Sequence, residues 1–330
     1  MAEFPSRFRT VTRLAVLAVL AALTATGCGS VGGDAEAGSD GLPVVRWGYF
    51  RNYQPVYVGV ARKLFEKAGV KVELTGNFSS GPAVVQAAGS GQIDAGHSAI
   101  TGLANAGASG IKVVGVADSQ TEFKDVPLQQ WFVLDKSPVR SIKDLKGKRI
   151  GTNSLSGSFY YTALMALRQQ GLDKGDVKFV VLPHDRQEQA LRSGQIDVAG
   201  IIDPYTVAIT RAGGVRRLFS GADVLGERQF SLVFFREEFI RKHPDVVRKF
   251  LDGYRRAIEY IARQPEAGGD VMAETLRLER AYVVPHRYTD GAAVRMADVQ
   301  FWLDTMRDGG ELKDAPDLAA TDIATDDYNP

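Results

Sequence analysis

Ser90-Gly91-Gln92-Ile93-Asp94 recurs as Ser193-Gly194-Gln195-Ile196-Asp197, an offset of 103 residues. Arg46-x-Gly48 returns as Arg149-x-Gly151 at the same offset, and Ala68-Gly69-Val70 matches Gln170-Gly171-Leu172 at an offset of 102. Agreement of spacing across a whole segment identifies two copies of one supersecondary unit. Each copy opens on a β-like run, 44–49 and 149–152. Helical spacing follows over 55–68, with Val56, Val60, Leu64 and Phe65 on one face, and over 159–170, with Leu164 and Leu167. Gly69 and Gly171 stand where helices stop. Strands at 70–74 and 177–182, helices at 82–88 and 186–192, and a third strand after the repeated turn complete each copy. Strand–helix–strand–helix–strand predicts parallel pairing with right-handed crossovers, hence an α/β chain with two parallel-sheet lobes.

The β-rich runs Trp131–Leu134 and Ser231–Phe235 bracket the second copy and read as two hinge strands. His243-Pro244 then opens a helix with Val247, Phe250, Leu251, Tyr254, Ile258 and Ile261 on one face. Helices at 269–280 and 290–307 are expected to pack back on the first lobe. The expected organisation is 44–134 plus 235–315 for lobe one, 135–234 for lobe two, and a polar, disordered tail at 316–330.

Residues 1–27 read as an export signal. Arg7, Arg9 and Arg13 precede ten apolar residues, Leu14–Leu23, and small residues, Ala25-Thr26-Gly27, precede Cys28. Ten residues are too few to span a bilayer, which takes about 20. Residues 28–43 read as an anchor point and a Gly/Ser/acidic linker. Cys28 is the single cysteine, so neither an intramolecular disulfide nor a cysteine metal site is available. Net charge is +1, and much of the positive excess sits in the leader, so nucleic acid is not an expected partner.

Ligands of open parallel sheets sit beyond the carboxyl ends of the strands, where helices begin with free N–H groups. Here those points are Tyr53-Gln54-Pro55, Phe78-Ser79-Ser80-Gly81-Pro82, Gly96-His97-Ser98, Asn153–Ser158 and Asp203-Pro204-Tyr205. Two facing lobes would aim them into one cleft, a neutral, donor-rich site for a small polar or anionic solute.

On these residues the chain resembles the periplasmic binding proteins for nitrate, taurine and aliphatic sulfonates, a superfamily that also holds binders of thiamine-pyrimidine precursors. The resemblance is carried by Phe78–Pro82, Ser90–Asp94, Asp144-Leu145-Lys146-Gly147-Lys148-Arg149-Ile150-Gly151, Ser193–Asp197, Asp203–Tyr205 and His243–Val247. It implies a type II periplasmic-binding-protein fold and a monomer that closes about a hinge and delivers its solute to an ATP-driven (ABC) permease. Small residues before Cys28 likewise resemble the lipobox of bacterial lipoproteins, with Ala25 in place of the usual Leu. That implies a lipid on Cys28 and a place on the extracytoplasmic face of the bacterial cell membrane. Carried over by position, the helix-start groups are Ser79, Ser80, Gly81, Ser98, Ser156, Gly157 and Ser158. The chain departs from the pattern in having His97 where many members carry a small residue, and no arginine in these loops except Arg51.

Each candidate has a structural reading beside the functional one. Ser80 and Ser156 read equally as helix N-caps. Gln54 and Asp203 read as contacts or as local structure, and a carboxylate at Asp203 would favour an amine or heterocycle over an anion. His97 reads first as a structural histidine. Tyr53, Trp131, Tyr160 and Tyr205 wall the cleft or fill the core, while Gly91, Gly194, Asp94 and Asp197 read as scaffold. The rival functional classes are a lipid-anchored sensor with a vestigial cleft and an enzyme. Pyrimidine-precursor synthases share this fold with pyridoxal and iron chemistry, which needs cysteine and histidine groups this chain does not supply. The reading is therefore a binder of sulfonate, taurine or a nitrate-like anion, with a heterocycle as the alternative, and with no cofactor, metal or catalytic residue.

Overall fold

The computed structural model describes Gly38, residues 41–284 and residues 286–330. The leader and Cys28 lie outside the described residues. The first copy runs β1 (Val44–Tyr49), α1 (Pro55–Ala61), α2 (Leu64–Lys67), β2 (Lys71–Asn77), α3 (Gly81–Gly89), β3 (Ala95–Ala99), α4 (Ile100–Ala108) and β4 (Val113–Glu122). The chain continues through β5 (Gln130–Leu134), β6 (Arg149–Thr152), α5 (Ser158–Arg168), β7 (Lys178–Val181), α6 (His184–Arg192), β8 (Val198–Ile201), α7 (Tyr205–Ala212), β9 (Val215–Ser220) and α8 (Gly221–Leu225). It closes with β10 (Arg228–Arg236), α9 (Glu237–Lys242), α10 (Pro244–Arg263), α11 (Pro265–Leu276) and α12 (Met296–Asp308).

Two five-stranded sheets form, ordered β2-β1-β3-β10-β4 and β7-β6-β8-β5-β9. The expected parallel triplets are present: β1 pairs in parallel with β2 and β3, and β6 with β7 and β8. Beside each triplet lies an antiparallel pair, which makes both sheets mixed. The reason is connectivity. β5 and β10 arrive from the other lobe at the cleft end of their sheets, so they run opposite to strands that point towards the cleft. The chain crosses between sheets at 123–129 and 221–227, a few residues before each strand that the sequence marks as a hinge.

The repeated motifs have identical duties in both sheets. The Arg46 side chain grips Asp94 with Nε to Oδ2 at 2.9 Å and a terminal nitrogen to Oδ1 at 2.7 Å. Arg149 repeats this on Asp197 at 3.0 and 2.9 Å. Gly48 and Gly151 let the second helix of each copy lie directly on the first strand. A Cβ at Gly48 would fall 2.9 Å from Val84 and closer still to Ile93, and one at Gly151 would fall 2.8 Å from Ile196 and 2.5 Å from Gln187. Gly91 and Gly194, at φ 77° and 73°, end α3 and α6 in the left-handed region that glycine adopts without strain.

Two expectations change. The helix over 55–68 breaks at Lys63, whose φ is 53°, and the break turns Phe65 into the core, where its ring stacks on Phe250 of α10 at 5.0 Å. The polar tail beyond 315 is not loose: Ile323 and Ala324 are fully buried and Ala324 bridges Gly115 of β4. The backbone of an edge strand gives a polar segment a place to dock that apolar periodicity does not reveal. Among the described residues no helix is long and apolar enough to cross a membrane.

Candidate ligand-binding cleft

The carboxyl ends of both parallel triplets face one cavity with about 360 Å³ of empty volume, part of it open to solvent. One wall is Phe50, Asn52, Gly81, Pro82 and Ala99, from the sheet of β1. The facing wall is Asn153, Gly157, Ser158, Phe159, His184 and Ile202. Gln120, Phe230 and Ser231, on β4 and β10, form the base beside the crossings. The lobes touch over the cavity. Thr101 Oγ1 of α4 donates to the carbonyl of Ser156 at 3.1 Å, and Asn105 Nδ2 reaches the hydroxyl of Tyr161 on α5 at 3.2 Å. These two bonds join the lobes.

The helix starts are left uncapped. Ser80 stands at the N-cap position of α3 and Gly157 at that of α5, yet neither helix receives a side-chain cap. The expected capping role of the Ser80 hydroxyl is therefore corrected. Ser156 caps nothing either: its Oγ lies 3.0 Å from Ser154 Oγ and its carbonyl takes the closing bond from Thr101. The first turns of α3 and α5 thus bring unpaired N–H groups and positive dipole ends to the same space.

A short relay adds a side-chain donor. An indole N–H only donates, so Trp47 Nε1, at 3.1 Å, fixes Gln54 Oε1 as acceptor. Gln54 Nε2 must then donate, and it meets Asn52 Oδ1 at 2.8 Å and the Phe50 carbonyl at 3.0 Å. Asn52 is fully buried, its Oδ1 is engaged, and its Nδ2 has no protein partner on the cavity wall. Gln54, expected to touch ligand, instead orients Asn52.

The other candidates separate. Gly81, Gly157 and Ser158 line the cavity. Ser98 is fully buried behind Gly81, where a Cβ on that glycine would come 2.8 Å from Ser98 Oγ. Ser79 is exposed and is not among the residues lining the cavity, which corrects its expected contact. His97 sits behind the wall, stacked on Phe50 at 4.6 Å with Nδ1 3.2 Å from Ser119 Oγ, and burial lowers its pKa to about 3. Tyr205 is half-buried against the second sheet. Asp203 is buried just past Ile202 with Oδ2 3.9 Å from His286 Nδ1. Burial raises Asp203 to about 7 and lowers His286 to about 4, so the imidazole is uncharged at neutral pH and the two make no ion pair. Tyr53 and Trp131 lie in the core. Arg51 turns to the carbonyl of Leu276 at the end of α11, and no lysine or arginine is among the described residues that line the cavity. Sequence reasoning missed Asn52, His184 and the three phenylalanines. His184 had a signal, for it follows Gly81 at the repeat offset of 103.

Glu122 ties the crossings together. Its carboxyl oxygens accept from Leu128 N at 3.0 Å and Gln129 N at 2.8 Å, and Gly221 of the second crossing packs on it. Burial raises Glu122 to about 8, outweighing those two bonds. A carboxyl raised in the fold holds a proton that the unfolded chain has released, so its stabilisation is lost as pH climbs towards the folded value. The buried histidines act with the opposite sign, but their contribution is complete above their ordinary value of 6.5. The melting temperature should therefore fall between pH 6.5 and 8.5, and Glu122→Gln with Asp203→Asn should flatten the slope. A level or rising curve for the unaltered protein at constant ionic strength would contradict this.

Comparison with known proteins adds four findings. The family described as NMT1/THI5 like matches residues 51–268. A binding protein of Brucella abortus (strain 2308) is 28% identical over 249 residues, 74% of each chain. A protein of Escherichia coli (strain K12) named as an aliphatic sulfonates-binding protein is 27% identical over 262 residues, 78% of this chain and 79% of that one. Among solved structures, the alkanesulfonate-binding protein SsuA from Xanthomonas axonopodis pv. citri, bound to MOPS, matches with a TM-score of 0.72 at 22% identity, covering 86% of this chain and 98% of that chain. The two chains share a fold.

Proposed function

The chain belongs to the NMT1/THI5-like family, and from that premise we propose that it is a solute-binding protein of an ABC importer, not an enzyme, which closes its lobes on a small solute bearing an oxyanion group. Sulfonate is the favoured group, with taurine and nitrate in the same class. The observation that carries this reading is the pair of uncapped helix starts, α3 and α5, that open on one cavity beside the free Asn52 amide. Backbone N–H groups at a helix start bind oxyanions without a side-chain cation. The names of relatives support the solute class. The crossings at 123–129 and 221–227 act as the hinge, and the α4–α5 bonds hold the closed state. The protein works as a monomer, held to the extracytoplasmic face of the membrane through lipid on Cys28.

Calorimetric titration with ethanesulfonate, taurine and nitrate should give one-site binding to at least one of them, with a smaller radius of gyration in solution scattering when bound. Binding to none at millimolar concentration removes the oxyanion reading. Cys28→Ser should move the protein from the membrane fraction to the soluble fraction, and an unchanged distribution removes the anchor.

A further inference from the structure

The helix starts and Asn52 offer donors to the cavity beside Gln120, Ser158 and Ser231, and the wall of the second lobe also presents an acceptor. His184, the first residue of α6, holds Nδ1 3.0 Å from the carbonyl oxygen of Gly200. A carbonyl only accepts, so Nδ1 carries the ring proton. Burial lowers the histidine to about 4, so the ring is neutral at physiological pH and Nε2 is a bare lone pair. The ring lines the cavity, and no described residue forms a hydrogen bond to Nε2. Asn153 lies on the same wall, and with no hydrogen bond to its amide it can turn either its oxygen or its nitrogen to a solute.

An acceptor in a cavity whose described lining holds no lysine or arginine is poorly matched to a bare oxyanion. Such a solute leaves it unpaired once water is expelled, and an unpaired buried acceptor is costly. A solute with an N–H or O–H group removes that cost. Beside Gln120 and Ser231 at the base, the lining includes three phenylalanines, two of them held by ring contacts: Phe50 by its stack on His97, and Phe159 by Trp131 at 5.3 Å and by His184 at 4.7 Å.

We propose that His184 Nε2 forms a donor-reading subsite, and that the solute is a flat aromatic or heteroaromatic oxyanion carrying an N–H or O–H donor. The inference rests on the oxyanion-binding reading above. Its oxyanion end takes the starts of α3 and α5, its ring lies among the phenylalanines, and its donor meets His184.

The test is calorimetric titration of the purified chain with ethanesulfonate, benzenesulfonate, and 3- and 4-aminobenzenesulfonate. The better aminobenzenesulfonate should bind at least ten-fold more tightly than benzenesulfonate. In His184→Phe that preference should shrink to within about two-fold. Equal affinity of the amino and plain aryl probes for the unaltered protein overturns the inference, whether or not the variant folds. Ethanesulfonate binding more tightly than every aryl probe also overturns it and leaves the oxyanion-binding role standing. Silence towards all four probes removes both.

Discussion

Asn52→Asp should lower affinity for an oxyanion solute by at least about 100-fold at pH 8 while leaving the fold intact. Loss of one buried donor costs about 1–3 kcal/mol, or roughly 10–100-fold in affinity. The substitution does more than remove a donor. Gln54 Nε2 still finds a carboxylate oxygen at the place of Asn52 Oδ1, so the relay from Trp47 survives and presents the second carboxylate oxygen to the cavity. A like charge then opposes the solute where an N–H group had attracted it. Asn52→Leu separates the two effects and should cost only about ten-fold, the loss of the donor alone. Gln54→Leu should fall below that, because Asn52 keeps its amide but loses the partner that fixes its orientation. Titration with whichever oxyanion binds the unaltered protein, alongside thermal melting, measures all three. Affinity within three-fold of the unaltered protein in Asn52→Asp would take Asn52 out of the site.

The second large effect is on stability, and the duplication supplies its control. Asp94 and Asp197 occupy equivalent places and hold equivalent arginines. Asp94, however, also receives Arg236 of β10 at 2.8 Å, and its side chain is 6% exposed against 29% for Asp197. Burial works to raise the Asp94 carboxyl, but the Arg46 and Arg236 guanidiniums outweigh it and hold it below its ordinary value. Removing the central member of a buried charge cluster strands its partners. Asp94→Ala should therefore destabilise the fold by about 3 kcal/mol, the low end for a broken buried pair because both arginines keep access to water. Asp197→Ala should cost much less, since water already screens that pair. Equal losses for the two variants in urea unfolding would show that the third partner and the burial contribute nothing.

The duplicated unit was legible because its signals are local and repeated. A glycine that a helix must lie against, an arginine–aspartate clasp and a left-handed turn each leave a residue type at a fixed spacing. β4 and β9 left weaker traces. Their sequences, VVGVADSQTE and VRRLFS, lack sustained apolar alternation, and they become strands because β10 and β5 offer them edges. The site was legible as a set of loops. Gly81, Gly157 and Ser158, named from the sequence, line the cavity because helix starts after parallel strands open on it whatever their side chains.

Which polar atoms in those loops stay free was decided only by the tertiary structure. Asn52 and Gln54 look alike in the sequence, and Trp47 alone makes one the orienting group and the other the donor. His184 becomes an acceptor because a carbonyl from β8 claims its other nitrogen. Ser231 and Phe230 reach the cavity because β10 crosses from one lobe to the other. Periodicity reports whether a side chain is buried, and repeats report which backbone unit is used twice. A hydrogen-bonding atom is left for a ligand only after every neighbour brought near by the fold has taken its partner, and no spacing along the chain counts those neighbours. The sequence determined by itself that two copies of one strand–helix unit would face each other across a cleft. The packed structure decided that uncapped N–H groups and one amide give while an imidazole receives.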